Sequence, residues 1–416
     1  MFRRLLSLEE AQNAIQSQVR TGALGVEEIP LLEAADRVLA ENIVAAMDIP
    51  PFDRSTVDGY AVRAEDTFGA EENRPVTLKI CGTMPIGELP SIRVLKNEAA
   101  EIVTGAPIPK GADAVVMTEH TERKLGHVHV FTAVVKHANV MKTGGDIRKG
   151  ETVLKRERLL GSREIGVLAS LGINKLKVYR IPRVAVLSTG PEIIEPGKKL
   201  PPGKIYDINA YSLSTAVLES GGKPIYLGVF QDDLAELQTA LGHALDSSDM
   251  VVTSGSVSVG PKDIMPKALA SLRTTGLILS GIAIKPGKPT TAAVVSDKLV
   301  FSLPGHPTSA LLVFHLLVRP AIQLMAGRKP GEDMETEAIA AARMFSAKGR
   351  RTFVMVALKL DESHRILAEP VSGGDSGAIT TLAKADGFVE IPENVQFIDA
   401  GEEVVVRLFG PKMWRL

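Results

Sequence analysis

At the start of the chain the apolar residues Leu8, Ala11, Ile15 and Val19 recur at the spacing of one helix face. Ser7, with Glu10 three residues on, forms a capping box ahead of them. The pattern predicts a helix within residues 5–20. The period changes near Asp48: Val76 to Thr83 and His127 to Val134 alternate apolar and polar, with proline and glycine between such runs, which predicts a small β-rich region. Helical spacing returns from Arg163 to Leu171, after the glycine pair Gly144 and Gly145, so the β-rich block reads as an insertion into a helical segment. From Arg183 onward the runs Val184–Leu187, Ala210–Leu218, Pro224–Val229, Leu234–Leu245 and Met250–Thr253 alternate strand and helix. That alternation predicts a parallel, doubly wound sheet covered by helices on both faces. Such sheets bind ligands beyond the carboxyl ends of their strands, which directs attention to the loops after Leu187, Thr253 and Leu303. Ala310 to Met325 is the most apolar stretch, but His315, Arg319 and Pro320 interrupt it, and it reads as a buried helix rather than a membrane span. Past Gly327, Phe353–Leu360 and Val404–Leu408 alternate again and predict a small C-terminal β-domain.

Length and composition narrow the class. A chain of 416 residues exceeds what one core usually organises, so about three or four domains are expected. Hydrophobic residues at 45% and charged residues at 23% match an ordinary globular protein. Lys plus Arg count 48 against 49 Asp plus Glu, so no global positive field exists to hold nucleic acid. One cysteine, Cys81, excludes an intrachain disulfide and a thiolate metal cage, and points to a reducing, cytoplasmic setting. Glu9 and Glu10 arrive before any apolar run after Arg3 and Arg4, which argues against a signal peptide.

Candidate chemistry gathers at the predicted strand ends. Ser254, Gly255, Ser256, Ser258 and Gly260 form a loop whose backbone N–H groups and hydroxyls suit an anion, although the same composition also makes a plain turn. Pro304, Gly305, His306, Pro307 and Ser309 repeat the arrangement before a second helix. Lys285 and Lys288, in a proline-stiffened turn between the two loops, read as charge partners of a phosphate-bearing ligand; alone they would be a solvated basic turn. No P-loop or dinucleotide fingerprint occurs. The carboxylates Asp58, Asp146, Glu192, Asp232, Asp233 and Asp263 each suit a turn or a helix cap, but together around a phosphate they suit Mg²⁺. His127 and His129 share a strand face without a third ligand and read as a surface pair; Cys81 reads as a packed or incidental thiol.

Asp48 to Arg63, Ile102 to Glu119, Thr253 to Gly260, Lys285 to Pro289 and Pro304 to Ser309 occur in the same order in the molybdopterin molybdenumtransferase family. The chain resembles that family, the MoeA and gephyrin E-domain type. The resemblance implies an elongated linking domain (residues 1–47 and 141–177), an inserted β-rich domain (48–140), a doubly wound α/β molybdopterin-binding domain of MogA-like type (178–326) and a C-terminal β-barrel-like domain (327–416). It implies an Mg²⁺-dependent enzyme that inserts molybdate into adenylylated molybdopterin, releases AMP and yields the molybdenum cofactor. Implied partners are a second copy, in a homodimer with a shared active site, and transient contacts with the adenylyltransferase and with apo-molybdoenzymes; no nucleic acid or membrane is implied. By motif position, Asp58, Thr104 and Asp146 would face the sheet domain of the other subunit, while Glu192, Asp232 and Asp263 would hold Mg²⁺ and the nucleotide end. Lys285 and Lys288 would balance oxyanion or phosphate charge, and Pro304 with Pro307 would shape the oxyanion pocket. Other readings are a tungstate-specific insertase, a molybdopterin adenylyltransferase and a non-catalytic scaffold.

Two positions depart from the family pattern: Ser256 stands where glycine is frequent, and His306 where asparagine is. These bear on the choice between molybdate and tungstate. An imidazole at position 306 keeps a hydrogen-bond donor and is expected to link oxyanion affinity to pH. Oxyanion affinities of the wild type and His306→Asn should then diverge between about pH 5.5 and 8; parallel curves refute the link.

Overall fold

The structure, a computed structural model, describes residues 5–255, 264–272, 274–329, 334–371 and 378–410. Two compact units divide the chain: Met1–Ile29, Asp36–Ala40 and Lys177–Leu416 form one, and Pro30–Ala35 with Glu41–Leu176 form the other.

In the first unit a six-stranded sheet runs in the order Lys223–Phe230, Arg183–Thr189, Met250–Ser254, Lys298–Leu303, Thr291–Val295, Thr274–Ser280. The first four strands are parallel, while Thr291–Val295 runs antiparallel to both of its neighbours, so the expected parallel sheet carries one reversed strand and is mixed. The cause is local. Val295 and Lys298 are joined through only Ser296 and Asp297, both with positive φ (49° and 62°), and so short a link returns the chain antiparallel. The parallel strands are almost wholly apolar because both faces are covered. Val184, Val186, Met250 and Val252 pack with the helices Asn209–Glu219 and Pro307–Val313, while Ala185, Leu187, Val251 and Val300 pack with Leu234–Ser247 and Met265–Ser271. Each fully buried side chain of this size contributes about 2 kcal/mol. The N-terminal helix Leu8–Gln16 adds Leu8, Ala11 and Ile15 to the first face. Its capping box is formed: Glu10 N–H donates to Ser7 Oγ at 3.1 Å and Ser7 N–H to Glu10 Oε2 at 2.8 Å.

The apolar stretch expected as a buried helix runs Pro307–Val313, then a wider π turn Phe314–Val318, then Arg319–Met325. The π turn precedes Pro320, which lacks the N–H a regular helix would need there. By length and composition this helix could cross a membrane, but 67% of its most apolar window is buried inside the protein. In the C-terminal part, the strands Arg351–Leu360, Ile366–Pro370, Glu335–Ala340, Glu403–Leu408 and Gly387–Ile391 close into a barrel, because the last pairs back to the first. The barrel shares a core with the sheet domain: Phe353, Met355 and Phe388 join the cluster that holds Phe314 and Leu317. At that seam His315 lies 4.9 Å from the Phe409 ring; burial first, then the Arg319 charge, pulls its pKa to about 3, so the imidazole is neutral.

The second unit is built on a sheet in the order Ala114–Met117, Gly59–Val62, Glu98–Ile102, Val76–Met84, His127–Val130, Thr121–Lys124. The strand expected to reach Val134 stops at Val130. On one side its neighbour begins at Val76, after Pro75, and on the other at Thr121, after a 3-10 turn, so further residues have nothing to pair with. His127 is exposed and His129 half-buried, the latter 3.0 Å from Thr77 Oγ1. Cys81 lies inside Val76–Met84, half-buried, its thiol pushed up by burial and then by Glu98.

The helix Ser162–Ser170 in this unit starts at Gly161, which has no side chain to cap with. Glu164 compensates: it accepts from Gly161 N–H at 3.0 Å and from Arg158 at 2.7 and 3.1 Å. The Arg158 hydrogen bonds, then the backbone N–H groups, lower its pKa to about 2. A carboxylate depressed in the fold stabilises above its ordinary pKa and loses that contribution as pH falls through the folded value. Glu164→Gln should therefore cost about 1 kcal/mol at neutral pH. In denaturant unfolding the curves for the two proteins should converge as pH falls from the ordinary value of 4.5 to about 2; a constant gap would contradict the assignment.

Candidate functional site

The carboxyl ends of the parallel strands are level. Ser188 is in register with Ser254, and Ser254 with Leu303, so the loops that follow leave the sheet at one height. Gly255 has φ +103°, and a Cβ there would lie 2.2 Å from the Thr189 carbonyl oxygen, so only glycine fits. A Cβ on Gly305 would lie 3.7 Å from Gly255 Cα, which puts the two loops side by side. Gly255 N–H donates to Leu303 O at 3.2 Å. The expected anion loops are thus adjacent at Ser254–Gly255 and Pro304–Ser309, where Pro304 and Ser309 are buried and Gly305 and His306 exposed. His306 stands just before the helix Pro307–Val313. Ser256, Ser258, Gly260 and Asp263 lie outside the described residues.

A group that sequence reasoning passed over sits beneath these loops. Asp207 and Asn209 precede and open the helix Asn209–Glu219, and both are buried. Asp207 Oδ1 accepts from Ser188 Oγ at 2.8 Å and from Ala210 N–H at 3.1 Å, while its Oδ2 is buried without a hydrogen-bond partner. Burial raises the Asp207 carboxyl, the charge of Glu195 adds to this, and hydrogen bonds from Ala210 and Ser188 oppose it only in part. Asn209 Nδ2 donates to Ser254 Oγ and to Gly305 O, each at 2.7 Å. The signal in the sequence is Asp-x-Asn directly before the helical run Ala210–Leu218, a position that precedes a helix and follows none of the expected strand ends.

Glu192 and Asp232 follow the adjacent parallel strands Arg183–Thr189 and Lys223–Phe230, and both are exposed. Glu192 folds back on Gly190, where a Cβ would lie 2.8 Å from its Oε2. The cap of the helix Leu234–Ser247 is Asp233, which accepts from Ala235 and Glu236 N–H at 3.0 and 2.9 Å. Among the described residues no three His, Cys, Asp or Glu side chains group to hold a metal by themselves. Mg²⁺ does not need three: it takes one or two carboxylates together with substrate phosphate oxygens, and the all-oxygen chemistry of Glu192 and Asp232 fits that requirement. Lys285 is exposed in the short strand Ile284–Lys285, which pairs with Arg351–Thr352 of the barrel, and Lys288 is half-buried. Their turn rests on the helix Pro307–Val313, since a Cβ on Gly287 would lie 2.5 Å from Val313 Cγ2.

In the second unit, Asp58 Oδ1 accepts from the backbone N–H and Oγ1 of Thr104 at 2.7 and 2.8 Å, and these bonds lower the pKa of the exposed carboxyl. Two of the expected residues are therefore in direct contact. Asp146, also exposed, donates its N–H to Ile49 O at 3.0 Å. Nearby, Asp53 accepts from Lys142 Nζ at 2.7 Å and from Thr143 N–H at 2.8 Å; burial would raise its carboxyl, but these bonds outweigh it and lower the pKa.

A doubly wound sheet with a glycine-lined carboxyl edge, joined in one chain to a β-rich unit and a closed barrel, defines a multidomain ligand-binding α/β protein. Three family descriptions match in succession: MoeA N-terminal region (domain I and II) over residues 6–172, probable molybdopterin binding domain over 185–324, and MoeA C-terminal region (domain IV) over 337–409. A molybdopterin molybdenumtransferase 2 of Mycobacterium tuberculosis is 32% identical over 96% of this chain and 98% of its own length. A molybdopterin molybdenumtransferase of Haemophilus influenzae is 33% identical over 98% and 99%. A crystal structure of a molybdopterin biosynthesis moeA protein of Pyrococcus horikoshii is similar at TM-score 0.84 and 44% identity, covering 99% of this chain and 100% of that one. The chain belongs to the MoeA family of molybdopterin molybdenumtransferases.

Because the folded Asp207 carboxyl is raised, the fold binds its proton more tightly than the unfolded chain does, and stability contributed there declines as pH rises through the raised value. Asp207→Asn should gain in thermal midpoint relative to the wild type as pH goes from about 3 to 7. A difference that stays constant across that range would contradict this account.

Proposed function

We propose that this chain is a molybdopterin molybdenumtransferase, which inserts molybdate into adenylylated molybdopterin and releases AMP. What carries the reading is that the glycine-lined carboxyl edge falls inside the stretch matched as a probable molybdopterin binding domain, residues 185–324, within a match that continues to residue 409. The same reading includes the fourfold domain division at residues 47, 140, 177 and 326, a cytoplasmic homodimer, and passing contacts with the adenylyltransferase and apo-molybdoenzymes.

In this mechanism the chain's work is positioning and charge balance. Backbone N–H groups and hydroxyls of the Ser254–Gly260 and Pro304–Ser309 loops bind and orient the anionic substrate. Lys285 and Lys288 balance oxyanion and phosphate charge. Glu192, Asp232 and Asp263 would hold Mg²⁺, which when bound neutralises charge building on the departing adenylate. Asp58, held by Thr104, and Asp146 serve the site of the partner copy. No protein nucleophile is required, because adenylate leaves readily once its charge is spread.

AMP release from adenylylated molybdopterin with Mg²⁺ should depend on added molybdate or tungstate, and the more effective oxyanion identifies the natural one. Consumption of ATP would favour an adenylyltransferase, and tight binding without release a scaffold. Asp58→Ala should lower oxyanion-dependent release by about 100-fold or more. Asp58→Asn, which can still accept both Thr104 hydrogen bonds, should be nearly as impaired; an Asn variant with wild-type release would reduce Asp58 to a structural clip.

A further inference from the structure

Asn209 occupies a position whose chemistry neither the helix nor the core explains. It is the first residue of the helix Asn209–Glu219, is only 8% exposed, and sends both hydrogens of one amide nitrogen away from its own helix. One goes to Ser254 Oγ, at the end of the strand Met250–Ser254, and the other to the carbonyl of Gly305, beyond the end of Lys298–Leu303. Ser254 Oγ in turn donates to Pro304 O at 3.3 Å, and Gly255 N–H to Leu303 O at 3.2 Å. Gly305 O can only accept, so the amide cannot turn over without setting two oxygens against each other. Two residues earlier, Asp207 accepts from Ser188 Oγ and donates its N–H to Ile194 O, so the same short segment also meets the end of Arg183–Thr189.

We propose that Asn209 is the positioning residue of the site: its amide fixes the Ser254–Gly255 loop against the Pro304–Gly305 loop, and so sets the separation of the two walls that receive the anionic substrate. The proposal rests on the functional reading of those loops given above. The glycines alone cannot set this separation. They permit close approach but impose none, since beyond the Thr189 contact a Cβ on Gly305 would meet Gly255 Cα only at ordinary van der Waals distance. The residue required is one that offers two donors from a single short side chain. Alanine offers none, and an ionised aspartate would point a charge at the Gly305 carbonyl.

The test compares wild type, Asn209→Ala and Asn209→Asp by hydrogen exchange in peptides spanning Gly255 and Gly305, and by AMP release. In Asn209→Ala, exchange at Gly255 should quicken about tenfold, since its N–H bond to Leu303 O bridges the loops. Its kcat should fall about 100-fold, the usual consequence of a misplacement of about 1 Å. In Asn209→Asp, kcat relative to wild type should recover as pH is lowered from about 8 to 5.5 and the new carboxyl gains a proton to donate. That recovery is a response a purely structural lesion would not give, and this variant decides the matter if Asn209→Ala does not fold. Unchanged exchange in a folded variant overturns the clip. Faster exchange with wild-type kcat overturns the positioning role, and so does an Asn209→Asp profile parallel to the wild type. If wild-type protein itself releases no AMP, the functional reading fails, and the exchange arm still decides the clip.

Discussion

Everything at the site depends on register. Parallel pairing of Arg183–Thr189, Met250–Ser254 and Lys298–Leu303 brings Ser188, Ser254 and Leu303 level, so that three loops leave the sheet along one line. A slip of one residue would reverse the alternation and send Ser188 or Ser254 to the wrong helical layer. The alternation is enforced from below: Val186 and Val252 face one core, and Leu187 and Val251 the other. The apolar layers thus fix the polar edge. The layers set the height at which each loop leaves the sheet, and the Asn209 amide then ties the Ser254 and Gly305 loops to each other.

Much of this was legible from the residues. Helices at Leu8–Gln16, Ser162–Ser170 and Leu234–Ser247 followed from periodicity, with a capping box marking the start of the first, each signal carried by residues a few positions apart. The strand that stopped at Val130 and the antiparallel edge did not follow in the same way. The first depends on where neighbouring strands begin, and the second on a two-residue connection whose positive φ values involve Ser296 and Asp297 rather than the expected glycine. Order in the chain singled out the two candidate loops, but it could not show their closeness, since Gly255 and Gly305 meet only through pairing of distant strands. Asn209 was missed for the same reason: its partners are 45 and 96 residues away.

The second unit handles polar groups differently. Its candidate residues lie on exposed turns, and its acidic side chains are held by backbone and threonine donors as well as by cations. Asp58 is gripped by Thr104, and Asp53 by Thr143 as well as Lys142. Hydrogen bonds to backbone N–H groups screen less than surface ion pairs and leave the carboxylate geometry fixed. The sheet edge of the first unit instead buries Asp207 and Asn209 and leaves one oxygen of each without a hydrogen-bond partner, a costlier arrangement that suits a site over one that serves stability alone.

The tight return at Ser296–Asp297 also bears on how the protein assembles. Parallel strands must wait for long crossovers to close, and such closures are slow. Thr291–Val295 and Lys298–Leu303 need only each other, so this hairpin can form before the rest of the sheet is complete. The strand that delivers Pro304 and Gly305 then arrives already paired along one side, offering its free edge to Met250–Ser254 as a template. One wall of the candidate cleft thus rests on a local contact, and the other on pairing between distant parts of the chain.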